Sequence, residues 1–438
     1  MKKAFTVALI LTLCCATLGV AGSKWQFVKV FPDTTISFGT GVHGIAVDKA
    51  NKIWVGPAGR TNLDSLPNGK AVVAIYVYNP DGTETALSRI KIINTTGRSD
   101  TLTALCRGAR ADMEGNIVYA SAGRYWKINY KTGVGMLHLQ PNTGSNIAPA
   151  FTTANEMFTG NVAPGTGDIK IWSGADFSSL GTAVVAPLGF SRTIEVSKDG
   201  NDIYWCGYTT KKIYKYHSDN GTLGPYALKD SLADGCQVEA TGWNSKDGYL
   251  YFSSGNIDTT DYGPVPPAPW THTVWYALDP ATNAIKDSIV WNWGAYPYSV
   301  NPVTNAPRPR GIAFSVSGDT AYVACYNHAK AAIQMFKRTV TSVEPVSDGM
   351  PSGYSLSQNY PNPFNPSTEI TFTLTHSGYT TLKVYDLLGK EVATLVSEEL
   401  NPGTFTTKFD ASRLASGTYV YTLTSNGVRL NNKMMLMK

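Results

Sequence analysis

Five residues hold the same station in five copies of one short pattern: His43, Arg107, Arg192, Glu239 and Arg310. Each stands just before a strand-forming stretch: residues 44–48 (GIAVD), 108–112 (GARAD), 193–197 (TIEVS), 240–244 (ATGWN) and 311–315 (GIAFS). Three guanidiniums and an imidazole, gathered with one carboxylate, would attract anions, because arginine stays charged and offers a rigid fork of donors. Arg110 and Arg308 lie close by in sequence and add positive charge. The ligand class this favours is an acidic small molecule or a sugar acid. The competing reading is a solvated mouth in which arginine pairs with Glu239.

Other chemistry is scarce. The chain contains no HExxH, GxSxG, Walker loop, GxGxxG or EF-hand loop. It has six histidines, and its Asp and Glu residues fall mostly in turns such as Asp199-Gly200 and Asp247-Gly248. No catalytic residue, metal ligand or cofactor site is therefore assigned. A second binding candidate is aromatic: Trp270 follows a Pro-rich insertion at residues 261–269, and Trp291 and Trp293 come soon after. Exposed flat rings stack on sugars or prolines, whereas the alternation of Trp291 and Trp293 suits packing between sheets.

The elements that must position these residues are read from the repeat. After each inner stretch comes a polar turn, such as residues 198–201 (KDGN) or 245–248 (SKDG), then an aromatic strand such as Ile203-Tyr204-Trp205. A second hairpin follows, as in residues 126–133 (WKINYKTG) and 213–221 (IYKYHSDNG). Two hairpins per copy make a four-stranded antiparallel sheet. A degenerate copy at residues 148–158 brings the number to six, and the last copy lacks its outer strand. Residues 25–31 (WQFVKVF) alternate as a strand should and would supply it, closing the ring and covering its edges. The fold expected for residues 22–340 is thus an all-β, six-bladed β-propeller, with seven blades as the alternative because the copies are unevenly spaced. The five stations then begin innermost strands at one mouth of the central channel.

The GIAVD-type strand followed by Trp-Val or Tyr-Val resembles NHL-repeat and lactonase-like propellers. That resemblance implies the fold and leaves activity open, since such propellers include lactonases, lyases, scaffolds and sensors. Lactonase-like members hold a metal in the channel with acid and amide side chains. The ring here is not acidic, a departure that counts against that activity. Cys106, Cys206, Cys236 and Cys325 form no CxxC. At most one disulfide is expected, Cys206 to Cys236, where adjacent sheets would meet.

The two ends concern export. Residues 1–21 read as a signal peptide: Lys2 and Lys3, a short apolar run, then small residues before Gly22. Cys14 and Cys15 raise a lipoprotein alternative, against which stands Leu13. Residues 341–354 read as a linker. Residues 355–438 carry QNYPNPFNPST, VYDLLGKEV, LASGTYVYTL and KMMLMK in order and alternate as a small Ig-like β-sandwich. These landmarks resemble the type A sorting domain of type IX secretion cargo. The resemblance implies the type IX machinery as partner, passage through the periplasm, and a secreted or outer-surface location. Formal net charge is +5 and 16% of residues are charged, which supports neither nucleic-acid nor membrane-surface binding. No transmembrane segment is expected in the mature chain. The passenger reads as a non-catalytic module binding a ligand, glycan or protein, with a lactonase-like hydrolase or lyase as the alternative.

Overall fold

The computed structural model describes residues 23–59, 64–141, 144–162, 167–255, 270–295, 308–326, 330–338, 344–347, 354–376, 378–400 and 402–438. Residues 1–21, read above as a signal peptide, and the Pro-rich insertion at 261–269 lie outside them. The chain divides into two compact units, Met1–Arg338 and Thr339–Lys438.

In the first unit each inner strand is closed onto the next by its own turn residue. The Asp48 carboxylate accepts hydrogen bonds from the backbone N–H of Ala50 (2.8 Å) and Lys52 (2.9 Å), and from Trp54 Nε1 (2.8 Å). Asp112 does the same for Glu114 and Asn116, and Asn244 for Lys246. The last residue of the repeated pentapeptide is therefore a turn-closing group, which is why Asp, Asn or Ser stands there. The strand that follows is buried on both faces, as in Ile117–Ser121 and Leu250–Ser253. It is sandwiched within its own sheet and between neighbouring sheets, so it reads as an unbroken apolar run.

Five four-stranded antiparallel sheets and one three-stranded sheet result among the described residues. Their innermost strands are Val42–Val47, Cys106–Ala111, Ala150–Phe151, Ser191–Val196, Thr241–Trp243 and Arg308–Phe314. These strands neighbour one another in a ring, the last returning to the first. This is a propeller arrangement. Trp25–Phe31 pairs antiparallel with Ile333–Arg338, running from Trp25 opposite Arg338 to Phe31 opposite Ile333, and completes the last sheet. The uneven spacing has a local cause in the first sheet. A two-stranded ribbon, Ile92–Thr95 with Arg98–Thr101, is inserted before the second sheet begins.

The inner strands approach closely. A Cβ added at Gly44 would lie 2.4 Å from Cys106 Sγ, and one at Gly108 would lie 2.3 Å from Ala148 Cβ. Large aromatics fill the wedges between sheets further out. Trp25, Tyr251, Trp275 and Trp291 share one cluster, and Trp54, Tyr119 and Trp126 another.

The second unit is a sandwich of two four-stranded sheets. Its core includes Phe372, Leu382, Val384, Phe405, Tyr421 and Leu436. The Pro-rich segment is pinned at several points. Phe364 is buried and exchanges backbone hydrogen bonds with Met435 and Met437, each 3.0 Å long. Asn359 is buried too: its backbone N–H donates to the Tyr421 hydroxyl (2.8 Å) and its side-chain amide donates to Thr368 Oγ1 (2.9 Å). Among the described residues no helix is long and apolar enough to cross a membrane.

Three expectations are corrected. Residues 341–354 are not linker throughout: Glu344–Ser347 pairs with Gly403–Asp410 at the edge of the sandwich, a position where Pro345 is tolerated. Cys206 and Cys236 share one core cluster but remain free buried thiols, as do Cys106 and Cys325. The Cys236 thiol instead faces the Ser253 carbonyl at 3.9 Å, and burial pushes it well above the usual thiol range. The aromatic trio is not one surface. Trp291 is 1% exposed and packs on Trp275, while Trp270 donates to the Asp234 carbonyl (2.7 Å) and meets Tyr276 edge-on at 5.2 Å. Trp293 alone is exposed, in a one-turn 3-10 segment and not on a strand.

Candidate functional site

The five stations come together because the inner strands are bulged at those residues. Pairing with the second strand slips between Val42 and Gly44, between Cys106 and Gly108, between Ser191 and Ile194, and between Pro309 and Gly311. His43, Arg107 and Arg310 are the extra residues, and Arg192 shares a longer slip with Thr193. Glu239 precedes its strand, where Ser253 Oγ accepts from the N–H of Glu239 (3.3 Å) and Ala240 (2.9 Å). A bulge leaves one residue without a ladder partner and re-aims its side chain. Here the five side chains line two cavities of about 20 Å³ each, one with Val162 on its wall and the other reaching Ile45, Ala148 and Thr193. Each has room for roughly one water molecule.

The charges inside are unequal. The Glu239 side chain is wholly buried, forms an ion pair with Arg310 and lies 3.8 Å from Arg192 Nε. Among the described residues no carboxylate is within ion-pair distance of Arg107. Aromatic rings hold the arginines: Arg192 lies over Phe190 (4.9 Å) and Tyr208 (5.1 Å), and Arg310 over Tyr326 (5.5 Å). Burial and the neighbouring Arg192 push the Arg310 guanidinium down to about 9, so it is still charged at neutral pH. The same two causes lower Arg107.

His43 is different in kind from the arginines. Its Nδ1 lies 2.9 Å from the Cys106 carbonyl, which can only accept, so Nδ1 carries the proton. Nε2 is buried without a hydrogen-bond partner. Burial first, then Arg310, holds the imidazole well below its usual range in spite of that carbonyl. His43 is therefore a neutral group and adds no positive charge to the mouth.

A second layer lies beneath, in which the sequence reading singled out Arg110 but missed its partner Glu195. Arg110 is ion-paired with Glu195 at 2.5 Å and also donates to the Thr241 carbonyl. Thr241 Oγ1 donates to Glu195 (3.2 Å) and lies 2.5 Å from Thr193 Oγ1. Burial raises the Glu195 carboxyl even against Arg110. Arg110 is thus compensated within the chain and does not enlarge the positive field. Arg308 is buried against Tyr326 at 6.0 Å and does not line the cavity. A separate cavity of about 270 Å³ at the turn ends of the inner strands mixes apolar residues such as Val47, Trp243 and Phe314 with Asp48, Lys49 and Asp112.

The metal that lactonase-like propellers carry does not fit this donor set. A divalent cation needs converging oxygens, and the mouth offers one carboxylate, already engaged, among three guanidiniums. Among the described residues no group of three or more His, Cys, Asp or Glu is placed to hold a metal.

Residues 358–437 match the family model of the secretion system C-terminal sorting domain. No curated protein matches the chain significantly. Among solved structures, the chain is similar to virginiamycin B lyase from Staphylococcus aureus at 14% identity, covering 72% of this chain and 98% of that one, with a TM-score of 0.41. Regucalcin from Agrobacterium tumefaciens, described as calcium-binding, is 11% identical over 71% of this chain and 93% of that one, with a TM-score of 0.45. A protein described as the extracellular domain of a hybrid two-component system from B. thetaiotaomicron is 11% identical, with a TM-score of 0.41. There the match covers 94% of this chain but spans only 58% of that one.

Proposed function

We propose that this chain, exported as type IX cargo through its sorting domain, is a non-catalytic binding module whose propeller takes an anionic ligand at the arginine-lined mouth. One observation carries the reading. Backbone bulges on separate sheets aim Arg107, Arg192 and Arg310 into one cavity that contains a single carboxylate. Like charges buried together are costly unless something opposes them, and Glu239 can oppose only one. The lactonase-like alternative needs a cation where this mouth repels one.

The test is binding of a panel of small anions to the purified chain by calorimetry, with Arg107→Met and Arg192→Met beside wild type. Saturable binding that weakens at least tenfold in both variants, most at low salt, supports the reading. Arg310→Ala is a poor probe because it strands the buried Glu239. Export is checked separately: surface material should begin near Gly22 and lack the C-terminal unit by mass spectrometry. Retention of the full-length chain in the cytoplasm would overturn that part.

A further inference from the structure

The mouth is too small for the ligand its arginines first suggest. A sugar acid, or even a short carboxylate, needs several heavy atoms inside the ring, and the space there is two cavities of about 20 Å³ each. Each suits a single particle, a water molecule or a monatomic ion, and not a chain of bonded heavy atoms. The donors nevertheless are ready. Arg192 Nε and Arg310 Nε are buried with no hydrogen-bond partner, and the Arg310 side chain is only 7% exposed. Arg107 has no carboxylate in reach, and Glu239 is engaged by Arg310 and lies close to Arg192. Three guanidiniums against one carboxylate leave the ring with an excess of two positive charges. Buried donors and charges of this kind require a counter-group. A neutral water would satisfy the donors but not the charge.

Resting on the anion-site reading above, we propose that the mouth holds one resident halide ion, chloride in an extracellular setting, between Arg107 and Arg192 and against Val162. The ion would tie the second and fourth sheets together at the axis, as Glu239 ties the fifth to the sixth. It sits where an apolar wall and N–H donors meet, a setting that suits a monatomic, weakly hydrated anion without directional demands.

The full chain is unfolded thermally in sodium chloride, bromide, acetate, sulfate and gluconate at matched ionic strength. Crystals soaked in bromide are measured for anomalous scattering. The expected result, taken as the difference from Arg107→Met so that general salt effects cancel, is a melting temperature that rises with log halide concentration and does not respond to acetate, sulfate or gluconate. One bromide peak should lie in the ring. A response to acetate or sulfate without one to halide overturns the halide assignment and leaves the anion site standing. No anion response at all, with Arg107→Met at least as stable as wild type, overturns both. If Arg107→Met does not fold, the bromide peak in wild type decides: a peak supports the ion, and an empty ring removes it.

Discussion

Two cationic places in the first unit differ in what opposes their charge. Lys127, on the third strand of the second sheet, is 1% exposed, with Asp112 at 2.8 Å, Glu114 at 3.0 Å and the Gly174 carbonyl at 2.9 Å. Burial disfavours its charge, but Asp112 and Glu114 outweigh that and raise it. Arg107 is partly buried, and the charged group that acts on it most is another arginine, Arg192. A charge whose counter-charge is built into the chain is structural. A charge without one is compensated only by something from outside. The contrast separates scaffold from site in a fold where both are rich in polar groups.

The largest effect tests the scaffold half. Lys127→Met should cost about 3–5 kcal/mol, because it leaves a fully buried Asp112 uncompensated. Urea unfolding should show the loss unchanged by anion type. Arg310→Met should come next, at about 3 kcal/mol, for the same reason applied to Glu239. An equal loss from Arg107→Met would erase the distinction between the two places.

A smaller, opposite effect sharpens it. Glu239→Gln removes the one internal counter-charge, so the mouth should bind its anion roughly tenfold more tightly, about 1.4 kcal/mol. Calorimetry reads this directly, and weaker binding would mean that Glu239 orients the arginines and does not compete with the ligand.

Acid gives the next effect. His43 is held neutral in the fold by burial and by Arg310, Arg107 and Arg192, so the unfolded chain binds its proton more readily. Its contribution to stability is therefore complete above about pH 6.5 and falls as pH drops below that. His138 and His272 are lowered too and act in the same direction. Glu195 and Asp287 are raised and act in the opposite direction, with losses as pH climbs through the carboxylate range. Urea titrations from pH 5 to 7 should show the decline, flattened in part by His43→Asn.

The smallest effects concern the corrected candidates. Trp293→Ala should change stability by under ~0.5 kcal/mol. The four buried thiols should resist alkylation in the native state, with intact mass unchanged by reductant. A two-dalton change on reduction would restore the disulfide.

The repeat was legible because its turns and strands carry local signals, from Asp48 and Asn244 to the aromatic second strands. The mouth was legible because its residues share one offset from those turns. The pairing in the second layer was not. A bulge adds one residue, so the next side chain on the channel face after Arg107 is Arg110, and after Arg192 is Glu195. Counting by threes from each station would have found them, whereas strand alternation counts by twos. The strand at Glu344–Ser347 escaped because its partner lies some sixty residues away, and nothing in its polar composition announces it. Cavity size was illegible altogether, since it depends on how closely Gly44 and Gly108 let neighbouring strands approach.

The seam between Trp25–Phe31 and Ile333–Arg338 sets an order of events. The last sheet is built from both ends of the first unit, with roughly three hundred residues between them. Such a contact is among the most expensive in loop entropy and the slowest to form. A chain delivered N-terminus first across a membrane cannot complete that sheet until Arg338 has emerged. Until then the propeller is an open arc with two unpaired edges. A chain truncated before Ile333 would therefore retain those edges as sites for aggregation.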